Sequence, residues 1–385
     1  MIPDFFQFYL PTKILFQAGI SKDFSNELAE FNLSKILFLT DSYWVSQAQL
    51  KSILGALKNA GIEHIEIFSD IPPNSEVKVV RSAAELGTRA GAQGIIALGG
   101  GSVLDTAKAA NILLTHGGDL IDDYSGAQTL TLPLKPLIAI PTTAGTGSEV
   151  TKAAVILDEE SSSKLSFVDR YLYPSLALLD PELTLSMPPP LSAMTGMDAL
   201  THAIEAYTSL EQNAFAQALS LQAIRLLHQN LQKVLENGKD LQARSAMLAA
   251  SNMAGVAFDH SMVGVVHSMS HAVGAMAHVP HGLANSILLP WGMEYNLEVC
   301  HEKYAEIATA LNLPQKSSEA MIEEVRKLRS FLKKVCGLAE ALQEAGVKQE
   351  NLPAIAKLAV ADGSSFYNPR EVVYEEVLET LKKAF

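Results

Sequence analysis

The sequence predicts an N-terminal α/β domain with a parallel sheet, followed by an all-helical C-terminal domain. Three observations carry that prediction. Between residues 34 and 180, short apolar runs alternate with stretches of helical period. Two of those runs lead directly into turns rich in glycine or in threonine and glycine. After the prolines at 188–190 the strand signals stop and helical periodicity takes over. Alternation of strand and helix is the pattern of a parallel sheet covered on both faces. A proline cluster at a change of period marks a boundary, so the domains are expected at 1–190 and 191–385.

The elements follow in order. Lys35–Thr40 (KILFLT) is a strand candidate that ends at Asp41. Ile65–Phe68 is the next, after a helical stretch closing at Gly61. Gly94–Leu98 runs into Gly99-Gly100-Gly101-Ser102, and Leu137–Ile140 runs into Pro141-Thr142-Thr143-Ala144-Gly145-Thr146-Gly147-Ser148. Val77–Ala90 and Val103–Leu114 have helical spacing between them. Val155–Leu157, Leu165–Val168 and Leu176–Leu179 are further strand candidates. The helices expected in the second half are 192–209, 214–235, 240–258, 262–277, 298–311, 317–334, 337–345, 351–360 and 371–384. The segment 1–18, with Phe5, Phe6, Phe8 and Tyr9, is expected to add a strand to the sheet of a neighbouring subunit.

Composition narrows the function classes. With 385 residues, 48% of them hydrophobic, the chain has material for about two domains. A net charge of −13 and the absence of a large basic patch argue against nucleic acid and anionic membrane as partners. No run of about 18 apolar residues occurs, and the start MIPDFFQFYL lacks the basic opening of a secretory signal. Two cysteines, Cys300 and Cys336, make no disulfide framework. A cytoplasmic protein is expected.

Two sets of residues carry chemistry. Glycines where a strand gives way to a helix let main-chain N–H groups approach a phosphate. The run at 99–102 is neither G-x-G-x-x-G nor a P-loop, but a second polar turn at 141–148 places two such loops at the ends of parallel strands, where open α/β sheets bind nucleotides. Asp41 also ends a strand. It either caps a helix or accepts hydrogen bonds from a ribose diol, which favours NAD over NADP.

The second set is a crowd of histidines. Of ten in the chain, five fall between His260 and His281. Asp198 and His202 stand four apart, as do His267 and His271, so on helices each pair shares a face. His278 and His281 follow a turn. Burying such groups unpartnered costs roughly 1–3 kcal/mol each, and a divalent metal held by imidazoles and one carboxylate removes that cost. This donor set suits zinc and iron alike, and spacing does not separate His267 from His271. His260, beside Asp259, is expected to pair locally.

The stretches GGGSVLDTAK (99–108), PTTAGTGSEVT (141–151), DPELTLSMPP (180–189), GMDALTHAIEAY (196–207), HSMSHAVGAMAHVPHGLANSILLP (267–290) and NPR (368–370) together resemble the iron-containing alcohol dehydrogenases, over essentially the whole chain. The resemblance implies a dinucleotide-binding α/β domain, a helical metal-binding domain and a site in the cleft between them. It implies metal ligands at Asp198, His202, His267 and His281, with His271 as a histidine beside the metal that faces the substrate and serves a proton relay. It implies cofactor contacts at Asp41, Asn74, Gly100, Gly101, Ser102, Asp105, Thr142, Thr143, Thr146, Lys164 and Leu183. The implied activity is hydride transfer between a small alcohol or diol and NAD, with NADP as the alternative. The implied metal is Fe²⁺, with Zn²⁺ as the alternative, and the implied assembly is a homodimer. Glycerol dehydrogenases, which use zinc, and dehydroquinate synthases, which are lyases, share the architecture. The latter need a cationic phosphate pocket, for which 142–170 offers only Lys152, Lys164 and Arg170. The stretch DGSSFYNPR has no cysteine where the family often has one, and Ala153 stands where a polar residue is common. Both leave the particular alcohol open.

Overall fold

The computed structural model describes residues 3–160 and 163–385. Packing divides the chain into two compact units. One comprises Leu10–Thr143 and Gly147–Leu185; the other comprises Ser186–Phe385 together with Ala144–Thr146 and the segment ending at Tyr9. A single division at residue 190 does not capture those two excursions into the helical unit.

The α/β unit holds nine strands among the described residues: β1 (Lys13–Phe16), β2 (Lys35–Thr40), β3 (His64–Phe68), β4 (Gly94–Gly99), β5 (Gly126–Ala127), β6 (Leu137–Pro141), β7 (Ala153–Asp158), β8 (Ser163–Val168) and β9 (Leu176–Leu179). Its helices are α1 (Ser25–Ala29), α2 (Ser42–Val45), α3 (Ala48–Asn59), α4 (Val77–Ala90), α5 (Gly101–His116) and α6 (Leu120–Tyr124). Six strands form an all-parallel sheet in the order β1-β9-β6-β4-β2-β3. The period of two along each strand feeds two cores. Leu37, Leu39, Ile95 and Ala97 pack with α4 and α5 residues such as Val80, Ala83 and Leu104. Ile36, Phe38, Ile96 and Leu98 pack on the other face with Ile53 and Leu57 of α3. Burial on both faces is why these strands read as unbroken apolar runs.

The further strand candidates all form strands, in two different sheets. Val155–Leu157 and Leu165–Val168 do not join the parallel sheet; they lie in β7 and β8, an antiparallel pair in a separate three-stranded sheet with β5. Within the segment 1–18, Lys13–Phe16 pairs on one side with β9 of its own chain and forms the end of the six-stranded sheet. The segment before it is held by ring contacts. The Phe8 ring stacks on His260 at 4.1 Å and lies 5.2 Å from Phe215. His260 Nε2 meets the Tyr9 main chain at 3.0–3.1 Å. His260 does pair locally, through Nδ1 to the Val256 carbonyl at 2.7 Å rather than to Asp259, and its Nε2 clamps a segment 251 positions away in sequence.

The helical unit contains α7 (Pro189–Thr208), α8 (Ala214–Glu236), α9 (Leu241–Ser261), α10 (Val265–Ala277), α11 (His281–Tyr295), α12 (Leu297–Ala310), α13 (Ser318–Cys336), α14 (Leu352–Ala361) and α15 (Tyr374–Ala384). Asn213, Asp240 and Ser317 cap α8, α9 and α13 by accepting main-chain N–H bonds. Two differences from the expected helices have local causes. The stretch 337–345 forms turns, bracketed by Gly337 and Gly346 at φ 68° and 88°. α11 is not among the expected helices, and it carries Pro290, a residue that ordinarily breaks a helix. It lies inside the helix all the same. The lost hydrogen bond and ring clash cost about 3 kcal/mol, offset by complete burial of Ala284, Ile287, Leu288 and Leu289. Among the described residues no helix is long and apolar enough to cross a membrane.

Candidate metal centre and dinucleotide loops

Three helices build one cluster in the helical unit. Asp198 and His202 lie one turn apart on α7, His267 lies in the first turn of α10, and His281 opens α11. One ligand atom from each of the four lies within 4.8 Å of the others. Asp198 Oδ1 is 3.4 Å from His281 Nε2 and 4.0 Å from His267 Nε2. The His202 and His267 rings stack at 4.6 Å. Asp198, His202 and His267 are buried, while the His281 side chain keeps 30% of its exposure. His271, although on the same helix as His267, falls outside this set.

The electrostatics suit a cation. Burial pushes the His202 imidazole below its ordinary range, against the pull of Asp198 and Glu205. It pushes His267 well below, helped by the neighbouring histidines. Both rings are therefore neutral, the form that offers a lone pair. His202 Nδ1 is buried without a hydrogen-bond partner. The neutral imidazoles of His202 and His267, the imidazole of His281 and the Asp198 carboxylate form a donor set that fits a divalent iron or zinc ion.

Four residues that sequence reasoning did not single out shape this cluster. Glu205 lies on the same face of α7, seven after Asp198 and three after His202. Its Oε2 is 2.5 Å from His267 Nδ1, its Oε1 accepts from the Val266 N–H at 2.7 Å, and its Oε2 accepts weakly from the His267 N–H at 3.4 Å. Burial pushes Glu205 up to about 7, opposed by these main-chain donors. Because a carboxylate accepts, His267 donates from Nδ1 and turns Nε2 to the cluster. Asn285 Nδ2 donates to Asp198 Oδ1 at 2.7 Å. Asn368, in the NPR motif, accepts from the Val265 N–H at 3.0 Å and so caps α10. Asp362 Oδ2 is 3.0 Å from His271 Nδ1. Glu205 was within reach of the same-face spacing rule; Asp362, 91 positions from its partner, left no local signal. His278 takes the left-handed conformation that ends α10, at φ 54°.

The dinucleotide candidates sit elsewhere, in the α/β unit, apart from Thr146, which belongs to the helical one. Parallel pairing puts the carboxyl ends of β2, β4 and β6 on one edge, with Asp41, Gly99–Ser102 and Thr142–Thr143 following them. The chain leaves β2 outward to β3 and returns on the other side as β4. This is the switch point at which such sheets open a crevice, and Asp41 and Gly100 flank it. Gly100 caps α5, whose first N–H groups have no intrahelical partner. A Cβ at Gly99 would lie 2.5 Å from Val103 Cγ2, so only glycine fits that turn. Asn74, at φ 74°, donates its N–H to Ser102 Oγ at 3.1 Å.

Three further candidates are engaged within the chain. Asp41 caps α2: its Oδ1 accepts from the Tyr43 and Trp44 N–H groups at 3.0 and 3.3 Å. Asp105 accepts from Ser148 Oγ at 2.7 Å and from the Val155 N–H at 3.1 Å, which ties α5 to the second loop and to β7. Burial raises the Asp105 carboxyl, opposed by Lys108 and Lys164 among its neighbours. The Leu183 side chain is buried in the core beneath the sheet, so only its main chain is available to a ligand. Lys164 lies on β8, opposite Leu157.

A parallel-sheet unit with glycine-rich strand ends, followed by a helical unit with a three-histidine, one-carboxylate cluster, is the pattern of a metal-dependent dehydrogenase. The description "Iron-containing alcohol dehydrogenase" matches residues 11–181, and "Fe-containing alcohol dehydrogenase family, C-terminal" matches residues 192–385. The 1,3-propanediol dehydrogenase of Citrobacter freundii is 38% identical over 359 residues, covering 91% of each chain. The NAD-dependent methanol dehydrogenase of Bacillus methanolicus is 34% identical, covering 98% of this chain and 99% of its own. A crystal structure of a 1,3-propanediol oxidoreductase superposes with a TM-score of 0.93 at 36% identity, over 99% of this chain and 100% of that one. The chain belongs to the iron-containing alcohol dehydrogenase family. It is a metal-dependent, nicotinamide-linked alcohol dehydrogenase, an oxidoreductase acting on CH–OH donors rather than a lyase, and the zinc polyol alternative is not favoured.

Proposed function

We propose that this enzyme moves hydride between a small primary alcohol or diol and NAD, with Fe²⁺ held by Asp198, His202, His267 and His281. The carrying observation is the meeting of these four donors within 4.8 Å around buried, neutral imidazoles. When bound there, a divalent ion supplies Lewis acidity toward an alcohol or aldehyde oxygen. The chain's own residues do the rest. Glu205 and Asn285 orient the donors. Gly100, Gly101, Ser102, Thr142 and Thr143 supply N–H and hydroxyl groups for the pyrophosphate, with Asn74 and Lys164 completing the cofactor contacts. The main chain at Leu183 adds a further contact. Asp105 acts by fixing one loop against the other.

Support for NAD over NADP comes from Asp41. Both of its main-chain bonds fall on Oδ1, which leaves Oδ2 to receive a ribose hydroxyl and to repel a 2′-phosphate. Asp41→Gly is expected to narrow the ratio of kcat/KM for NAD over NADP about tenfold or more, equivalent to ~1.4 kcal/mol. An unchanged ratio would reduce Asp41 to a helix cap. The two free cysteines fit a cytoplasmic enzyme, and the open edge of β1 fits a homodimer. The activity is tested by screening short alcohols, diols and aldehydes with NAD(H) and NADP(H) on iron-loaded protein. NAD-linked turnover of a small alcohol is expected; none with any alcohol or aldehyde would overturn the reading.

A further inference from the structure

α10 carries two histidines one turn apart, and each has its Nδ1 gripped by a carboxylate from another element. For His267 the partner is Glu205; for His271 it is Asp362, with Oδ2 at 3.0 Å. A carboxylate only accepts, so both rings donate from Nδ1, and the neutral tautomer this selects carries its lone pair on Nε2. The two lone pairs meet different surroundings. His267 Nε2 faces Asp198 in the cluster. The His271 ring lies parallel to that of His281, at 5.2 Å and 16°, without contributing a donor to the set. Among the described residues, no hydrogen bond is formed by His271 Nε2.

Asp362 is built to hold this arrangement. It caps the turn Gly363–Tyr367, and its Oδ1 accepts the Ser364 N–H at 2.8 Å. That pins the carboxylate and leaves Oδ2 for the imidazole. Only 23% of its side chain is exposed. Burial pushes its carboxyl up, but His271 and Ser364 outweigh that and hold it below the usual range, so the acceptor is ionised.

We propose that Asp362 is a positioning residue for the dehydrogenase reaction: it fixes the ring and tautomer of His271 so that Nε2 accepts a hydrogen bond from the reacting alcohol or from a water beside it. The proposal rests on the alcohol dehydrogenase site assigned above.

The test uses Asp362→Ala and Asp362→Asn in the metal-loaded enzyme. Asp362→Ala is expected to lower kcat about tenfold or more, with metal content and NADH affinity at wild-type levels. Asp362→Asn, whose side-chain oxygen still accepts from Nδ1, is expected to recover most of the loss. Asp362→Ala combined with His271→Ala is expected to be no slower than His271→Ala alone. Nitrogen NMR of zinc-loaded protein is expected to show His271 protonated on Nδ1 in the wild type and on a mixture of nitrogens in Asp362→Ala. An unchanged kcat, fully additive losses, a loss traced to missing metal, or the same tautomer in both proteins would overturn the proposal. The NMR signature needs no turnover, so its failure is distinct from a failure of the alcohol dehydrogenase reading, which wild-type activity decides.

Discussion

His267→Ala is expected to lose its metal and His271→Ala to retain it, although the two residues stand one turn apart on the same helix. The reason is what each ring faces. His267 is buried, is driven neutral, and turns Nε2 to Asp198. His271 is 30% exposed and spends its Nδ1 on Asp362. Removing a ligand costs more than removing its outer partner, which is worth about 10–100-fold, so His267→Ala should bind metal at least about 100-fold more weakly and lose turnover with it. His271→Ala should lose turnover at full metal occupancy. Metal analysis after gel filtration, with kcat on the same samples, separates them. Equal metal loss would mean that the two histidines are misassigned.

Glu205→Gln should weaken metal binding by about 10–100-fold while leaving all four ligands in place. Glutamine keeps one acceptor, for which His267 Nδ1 and the Val266 N–H then compete. Glu205→Ala should do more. It also strips the first turn of α10 of its acceptor, and each unsatisfied buried N–H costs about 1–3 kcal/mol. The alanine variant is therefore expected to unfold at lower denaturant even without metal. Titration with a chelator as competitor measures the first effect, and urea unfolding of metal-free protein the second. Wild-type metal affinity in both variants would show that the Glu205–His267 bond does not orient the ligand.

Legibility in the sequence followed the range of the interactions. β2, β4, β6 and β9 were readable because burial on both faces leaves nothing polar to interrupt them. Asp198 and His202 were readable because one helical turn brings them together. The choice between His267 and His271 was not readable from spacing, which is the same for both relative to the helix; the family resemblance made it. In space the distinction lies in partners far away along the chain, Glu205 for one and Asp362 for the other. α11 is not among the expected helices; local rules stop a helix at Pro290, whereas tertiary burial carries it through. The separate β7–β8 hairpin was hidden because apolar runs do not announce which sheet they join. The docking of Phe8 and Tyr9 on His260 spans 251 positions and leaves no trace in either local segment.

The most direct test of the account is metal analysis of wild-type enzyme purified without oxygen, with activity followed through chelation and reloading. One divalent ion per chain is expected, iron by preference. Chelation should remove it together with alcohol oxidation, and Fe²⁺ should restore both. A metal-free enzyme with full activity would contradict the assignment of Asp198, His202, His267 and His281 as the seat of the reaction.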